Sequence, residues 1–330
     1  MKVLVTGGGG FVGGAVCRML LARGDQVVAF QRGEPTALMA LGATAYRGDI
    51  ADTDAVRQAA RGCDAVVHTA ARAGAWGPRA DYVAANITGT DNVIAACREH
   101  GIGRLVFTSS PSVVHEGGDI ENGDESLPYP ARFHAAYPET KAASEQAVLA
   151  ANDDALWTAA LRPHLVWGPG DNHLLPRLVE RAQQGPLRLP APQKLIDTVY
   201  IDNAAMAHLQ ALDALESNPR CRGRAYFVTN AEPLPTGEII TRLLAAVGQS
   251  VDIRPISPKV AYAAGLACEV AWTLTGRDSE PPVTRWAAEQ LSTAHWFDPA
   301  GAERDLGYRP AISIAEGLER LAASAAVSNP

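Results

Sequence analysis

Through the first 165 residues, short apolar runs alternate with longer stretches whose apolar positions recur at helical spacing. This pattern predicts strands over 2–6, 26–30, 44–47, 65–69, 104–109 and 157–161, with helices over 11–23, 52–61, 81–100 and 135–152 between them. Gly24 and Gly101 stand where helix C-caps belong, and Asp52 or Thr53 where an N-cap belongs. Nearly continuous apolar strands alternating with helices imply a parallel sheet covered on both faces. After Arg162-Pro163 the rhythm changes. Pro, Trp and Gly become frequent, helices are expected over 172–184, 202–215, 236–247 and 314–323, and strands grow scarce. "TVYIDNAA" and "RAYFVTN" still have the pattern of a strand entering a helix and of a buried strand. The expected division is therefore a first domain over 1–165, to which the chain returns at about 195–230, and a smaller, mostly helical lobe over 166–194 and 231–330.

Composition narrows the partners. The formal net charge is −7, with acids and bases interspersed and no basic stripe suited to a phosphate backbone, so no nucleic acid is expected. Five widely spaced cysteines without a C-x-x-C pair fit a reducing compartment. Eight scattered histidines show no ligand spacing, so no metal is expected. Met1-Lys2 leads straight into the first strand, and the apolar stretch 260–276 carries Glu269 and falls short of the ~20 residues a membrane span needs; a cytoplasmic protein is expected.

The glycines of "VTGGGGFVGG" carry the first chemistry. Gly7-x-x-Gly10-x-x-Gly13 closes a strand and opens a helix, the setting in which backbone approaches a pyrophosphate at a helix N-terminus. The fold class is thus α/β, a Rossmann-type doubly wound sheet with the smaller lobe binding substrate. Where NAD-specific sites place an acid after the second strand, this chain has Gln31-Arg32. Arg32 offers a 2′-phosphate a planar cation, so NADP(H) is the expected cofactor; a solvated loop arginine is the plain alternative. In "AAYPETKAASE", Tyr137 and Lys141 are one turn apart on one helix face, and an ammonium there stabilises a phenolate. Ser109 and Ser110 end the fifth strand, at the sheet edge where ligands bind, and a hydroxyl there can polarise a carbonyl beside Tyr137.

With these residues assembled, the chain resembles the extended short-chain dehydrogenases/reductases, and within them the 3β-hydroxysteroid dehydrogenase-like branch. The resemblance runs through "VTGGGGFVG", "YRGDI", "VVHTAA", "ANITGTDNVIAAC", "VFTSS", "YPETK", "LRPHLVWGPGD" and "YIDNAAMAH", in that order. "GAWG", "NAEPLP" and "EPPVTRWAAEQLSTAHWF" look most like the reductases of bacterial long-chain olefin biosynthesis. The resemblance implies that Gly7, Gly10, Phe11, Val12 and Gly13 line the pyrophosphate, Arg32 the 2′-phosphate, Asp49 and Ile50 the adenine, and Ala70 and Ala71 a ribose. It makes Ser110 the catalytic serine, Tyr137 the proton donor, Lys141 the group that lowers the phenol's pKa and holds the nicotinamide ribose, and Asn86 the support of the active-site helix.

The implied activity is NADPH-dependent reduction of the 3-keto group of a long-chain 2-alkyl-3-keto acid. The alternatives are a 3β-hydroxysteroid or sterol dehydrogenase and a non-catalytic NADP-binding regulator. The missing acid after the second strand weighs against the NAD-dependent steroid enzyme, and the retained Ser110, Tyr137 and Lys141 against the regulator. Arg72, His115, Arg132 and His134 are candidates to meet the substrate carboxylate, and the tryptophans 76, 167, 286 and 296 are expected to be core. The apolar segment 260–297 is expected either to cap the pocket or to form an ordinary core helix. A second copy of the chain, other olefin-pathway enzymes and a membrane surface are the expected contacts.

Overall fold

The computed structural model describes residues 1–277 and 279–328. Seven parallel strands form one sheet: β1 (Lys2–Thr6), β2 (Gln26–Gln31), β3 (Thr44–Arg47), β4 (Ala65–His68), β5 (Arg104–Thr108), β6 (Trp157–Pro163) and β7 (Arg224–Val228). Their spatial order is β7-β6-β5-β4-β1-β2-β3, so the chain winds outward from β1 in one direction and then restarts from β4 in the other. That reversal between β1 and β4 opens a crevice at the carboxyl ends of the strands, where α/β sheets take ligands. The helices α1 (Phe11–Arg23), α2 (Thr53–Ala60), α3 (Gly89–His100), α4 (Ala136–Ala150) and α5 (Ile201–Ser217) cover the two faces. Val3, Val5, Val67, Val106 and Leu161 face one buried cluster, and Leu4, Val66, Leu105 and Phe107 the other, which is the period-two signature of a sheet buried on both sides.

The local punctuation follows the residues expected of it. Gly24 and Gly101 adopt left-handed φ of 92° and 65° and close α1 and α3, while Asp52 accepts the Ala55 amide at 3.1 Å and caps α2. The single helix expected over 81–100 is interrupted. An α-turn at Arg79–Tyr82 runs into a π-helical turn at Val83–Thr88 before α3 begins. Such turns insert a residue and concentrate at functional sites.

Apart from α5 and β7, the chain beyond β6 forms short strands and further helices. Two of them matter for the site: α6 (Pro258–Thr275) and α7 (Arg285–Gln290). Gly265 lets α6 lie against the backbone before α7; a Cβ there would stand 2.6 Å from the Arg285 amide nitrogen. Glu269 completes the joint, accepting the Arg285 amide at 2.8 Å and its Nε at 2.6 Å. The outer face of α6 is bare, with Val260 59% and Leu274 82% exposed. No helix among the described residues is long and apolar enough to cross a membrane.

Candidate active site

At the end of β1 the glycine loop turns tightly. Gly7 has φ +70°, a left-handed conformation that side chains resist, and its Cβ would meet the Ala70 amide at 2.8 Å. Gly13 is the helix-to-strand contact: a Cβ there would lie 2.3 Å from the Gly7 carbonyl oxygen and 2.5 Å from Thr69 Oγ1. The loop is thereby fixed by backbone packing while Gly9 and Gly10 stay exposed to the crevice. Beneath it, buried His68 bridges Thr6 Oγ1 at 2.7 Å and Thr90 Oγ1 at 3.0 Å, and burial pulls its pKa down to about 3, so it is a neutral strut. At the end of β2, Gln31 Oε1 is buried without a partner, and the exposed Arg32 has its carbonyl held by Arg47 Nε at 3.0 Å. Asp49 is exposed in the turn after β3, its carboxylate accepting the Ala51 amide at 2.9 Å. Ile50 is buried, and its carbonyl accepts from Asn92 Nδ2 at 3.0 Å. Ala70 and Ala71 follow β4 at the same edge.

Helix α4 carries the second group. Tyr137 lies in its first turn and Lys141 one turn on, so both face the end of β5. Lys141 is 2% exposed; its Nζ donates to the Thr108 carbonyl at 2.6 Å and sits 3.9 Å above the Phe107 ring. Burial pulls the ammonium down to about 7, against the field of Glu145, which raises it. Burial pushes the Tyr137 phenol up, and the neighbouring Ser110 hydroxyl pulls it back. Ser110 Oγ in turn accepts from the Ser112 hydroxyl at 3.0 Å.

Asn86 sits in the π-helical turn, 2% exposed, and ties three elements together. Its Oδ1 accepts the Arg72 amide at 2.7 Å, and its Nδ2 donates to the Arg72 carbonyl at 3.1 Å and to Thr140 Oγ1 at 2.9 Å. The Asn86 carbonyl accepts from Thr90 Oγ1 at 2.6 Å and from Ser144 Oγ on α4 at 2.7 Å. Thr140 and Ser144, which flank Lys141, are thus the clamps that set α4 against the sheet. Sequence reasoning passed over both, since buried hydroxyls within a helix carry no motif.

A cavity of about 300 Å³ opens in front of these hydroxyls. Thr108, Ser110 and Tyr137 form its floor, Val12 borders it on the glycine-loop side, and Trp286, Gln290 and Phe297 close it from the C-terminal part of the chain. Trp286 is therefore a cavity wall, packed edge-on against Tyr137 at 6.3 Å, and departs from the expected core role; Trp167, fully buried, keeps it. Three histidines line the far wall: His115, His164 and His295. His295 Nε2 faces the Gln290 carbonyl at 2.7 Å, and its Nδ1 faces His164 Nε2 at 3.1 Å. Gln290 Nε2 and His115 Nδ1 lie 2.8 Å apart, and His115 Nε2 meets Thr293 Oγ1 at 3.1 Å. Burial lowers all three, His115 to about 4, so the wall is uncharged. The His164–His295 pair was invisible in the sequence, where 131 positions separate its members.

A family model described as the 3-beta hydroxysteroid dehydrogenase/isomerase family matches residues 4–255. The chain is 54% identical to a 2-alkyl-3-oxoalkanoate reductase of Stenotrophomonas maltophilia, over 99% of this chain and 100% of that one. It is 44% identical to a protein of the same description from Shewanella oneidensis, over 97% and 85% of the two chains. Among solved structures it is similar to the UDP-glucose 4-epimerase of Thermus thermophilus in complex with NAD, with a TM-score of 0.75, 25% identity and 99% of both chains covered.

Proposed function

From the premise that the chain belongs to the 3-beta hydroxysteroid dehydrogenase/isomerase family, we propose that it reduces the 3-keto group of a 2-alkyl-3-oxoalkanoic acid to the 3-hydroxy acid, using NADPH. The observation that carries this reading is the cavity whose walls are largely apolar or uncharged and whose floor presents Ser110 and Tyr137 together, beside a buried lysine. A greasy keto acid needs apolar walls for its chains and a small set of hydroxyls at the carbonyl.

The residues at the strand ends fit a nicotinamide dinucleotide. Gly7 and Gly13 leave no room for side chains against the backbone, and Gly9 and Gly10 lie exposed at the helix N-terminus. When bound, the dinucleotide supplies the hydride. Arg32, free of any ion pair among the described residues, would hold a 2′-phosphate, and the unpaired Gln31 Oε1 would accept from a ribose hydroxyl. Phe11, Val12, Asp49, Ile50, Ala70 and Ala71 would complete the cradle.

This chain's own part is proton and charge management. The hydroxyls of Ser110 and Tyr137 donate to the ketone oxygen, stabilising the negative charge that develops on it. Tyr137 then passes its proton to that oxygen, and Lys141, one turn away, stabilises the phenolate left behind. Asn86 acts through α4, keeping phenol and ammonium aimed at one point.

Assaying purified protein against 2-alkyl-3-oxo acids, 3-hydroxy acids and 3β-hydroxysteroids, with NADPH and NADH, tests the reading. Keto acid reduction with NADPH is the expected dominant activity. Preferential oxidation of the steroid would overturn it, and binding of NADPH without turnover of any substrate would favour a regulator.

A further inference from the structure

A 2-alkyl-3-oxo acid carries its charge next to the reacting carbon. Its ketone and carboxylate carbons are about 2.5 Å apart by ordinary bond lengths, so with the ketone on Ser110 and Tyr137 the carboxylate lies in the same cavity. Yet among the described residues no arginine or lysine lines that cavity. Arg72, Arg132 and His134, expected as partners of the carboxylate, stand outside its walls, and Lys141 is spent on the Thr108 carbonyl. Apart from Tyr137, the titratable groups of the walls are His115, His164 and His295.

The fixed partners of these rings assign their protons. His115 is saturated: its Nδ1 accepts from Gln290 Nε2 at 2.8 Å and from the Gly117 amide at 3.3 Å. Its Nε2 donates at 3.1 Å to the Thr293 hydroxyl, which itself donates to the Glu289 carbonyl. His295 Nε2 must donate, because the Gln290 carbonyl can only accept, so Nδ1 of the neutral ring has no proton. The proton between the two rings therefore belongs to His164 Nε2, and His164 Nδ1 is a bare lone pair. It is buried without a partner, the one ring nitrogen of the six so placed.

Two imidazoles in series thus have three places for protons and hold two. A third fits on His164 Nδ1 without breaking a bond and makes the pair a cation. Burial keeps the pair neutral in the empty cavity. His115 opposes a charge on His164 and the Asp197 backbone favours it, while Asp119, paired with Lys194, favours one on His295. Asp197 turns its carboxyl to the Phe297 amide at 2.8 Å, and His134, paired with Glu289, faces His115. An anion in the same cavity tips this balance, because opposite charges stabilise each other most where water is excluded.

Resting on the reduction assigned above, we propose that the His164–His295 pair is the specificity element for the substrate carboxylate: it takes up one proton from solvent, at His164 Nδ1, as the acid enters, and returns it when the product acid leaves. That proton is separate from the one Tyr137 gives to the ketone oxygen. An ester or a steroid brings no anion and leaves the pair neutral.

The test pairs a 2-alkyl-3-oxo acid with its methyl ester as substrates of the full-length protein between about pH 6 and 8. The acid-to-ester ratio of kcat/KM cancels titrations common to both, those of Lys141 and Tyr137 included, and should fall about tenfold per pH unit as one proton is taken up. His164→Gln should flatten this slope and lower the ratio at the acid end about 10- to 100-fold, the range of a charge-assisted pair, and His295→Gln should do likewise. Asp197, pushed up to about 7 by burial, titrates in the same range, and Asp197→Asn should keep the slope. NADPH binding is the folding control for each variant. Independently of turnover, calorimetric titration of the product 3-hydroxy acid in the presence of NADPH, in buffers of different ionisation enthalpy, should show about one proton taken up per acid in wild type and none in His164→Gln. A ratio independent of pH, a slope that survives His164→Gln or vanishes only in Asp197→Asn, or binding without proton uptake would overturn the pair's role. Protein that takes up the proton with the acid yet reduces neither substrate would overturn the reduction alone.

Discussion

The two halves of this site are built differently. The cofactor side is made of backbone: the glycine loop after β1 is shaped by positions where any Cβ would collide with main-chain atoms, and its elements follow one another within the first 141 residues. The substrate side is made of side chains brought from afar. Ser110 and His115 after β5, His164 and Val166 at the end of β6, and Trp286, Gln290 and His295 from the C-terminal part of the chain meet around one cavity. A backbone-built loop admits few sequences, whereas a side-chain wall can be repacked by single substitutions, so substrate specificity is free to change while the glycine loop stays fixed.

The sharpest way to break this division is at the residue where the halves join. Tyr137→Phe removes one proton and almost no volume. Turnover should fall about 10²- to 10⁴-fold, with NADPH affinity, followed by fluorescence titration, within about twofold of wild type. A Phe variant retaining activity would remove Tyr137 from the chemistry.

On the cofactor side, Arg32→Ala should weaken NADPH about 10- to 100-fold, as loss of charge-assisted bonds to a phosphate does, and NADH far less. Isothermal titration with both dinucleotides would reveal a proportional loss if Arg32 merely faces solvent.

Lys141 should give the junction a pH signature. Its ammonium is lowered to about 7 in the empty protein, so charge is lost as pH rises, and kcat/KM for NADPH should drop about tenfold per pH unit above roughly pH 7. The same shift acts on stability with the opposite slope. Between about 7 and its ordinary 10.5, the unfolded chain holds a proton that the native lysine lacks, so this group makes stability rise with pH across that window. Denaturant midpoints falling over the same window in wild type, but not in Lys141→Met, would contradict the shift.

On the substrate side, Trp286→Ala should cost long-chain keto acids about three- to tenfold in kcat/KM and short-chain ones little, since less alkyl surface leaves water. A uniform loss would make Trp286 a support for α7 alone.

The same contrast explains what the sequence could tell. Gly7, Gly10 and Gly13, Tyr137 with Lys141, and the strand–helix rhythm were legible because each depends on local spacing or on a conformation only glycine adopts easily. Asp52 and Gly24 marked their caps for the same reason. The π-helical turn around Asn86 was not legible: its residues are ordinary helix formers, and the extra residue matters through the bonds that Thr140 and Ser144 make to Asn86. Nor was the histidine wall, because His115, His164 and His295 have no spacing in common and become neighbours only in the folded chain. For α6 the apolar pattern was read correctly as a helix, yet its outer face is exposed and its contribution to the site passes through Gly265 and Glu269 to α7.

The central claim, that hydride goes to the 3-keto carbon of a 2-alkyl-3-oxo acid over the Ser110–Tyr137 floor, is tested most directly by isotope transfer. Purified protein would be given the keto acid and NADPH deuterated at the nicotinamide carbon that donates hydride, and the product analysed by mass spectrometry. The account predicts a 2-alkyl-3-hydroxy acid carrying one deuterium at C3 for each NADPH oxidised, with no such product from Tyr137→Phe on the same timescale. NADPH oxidation without label at C3, or unlabelled hydroxy acid, would contradict it.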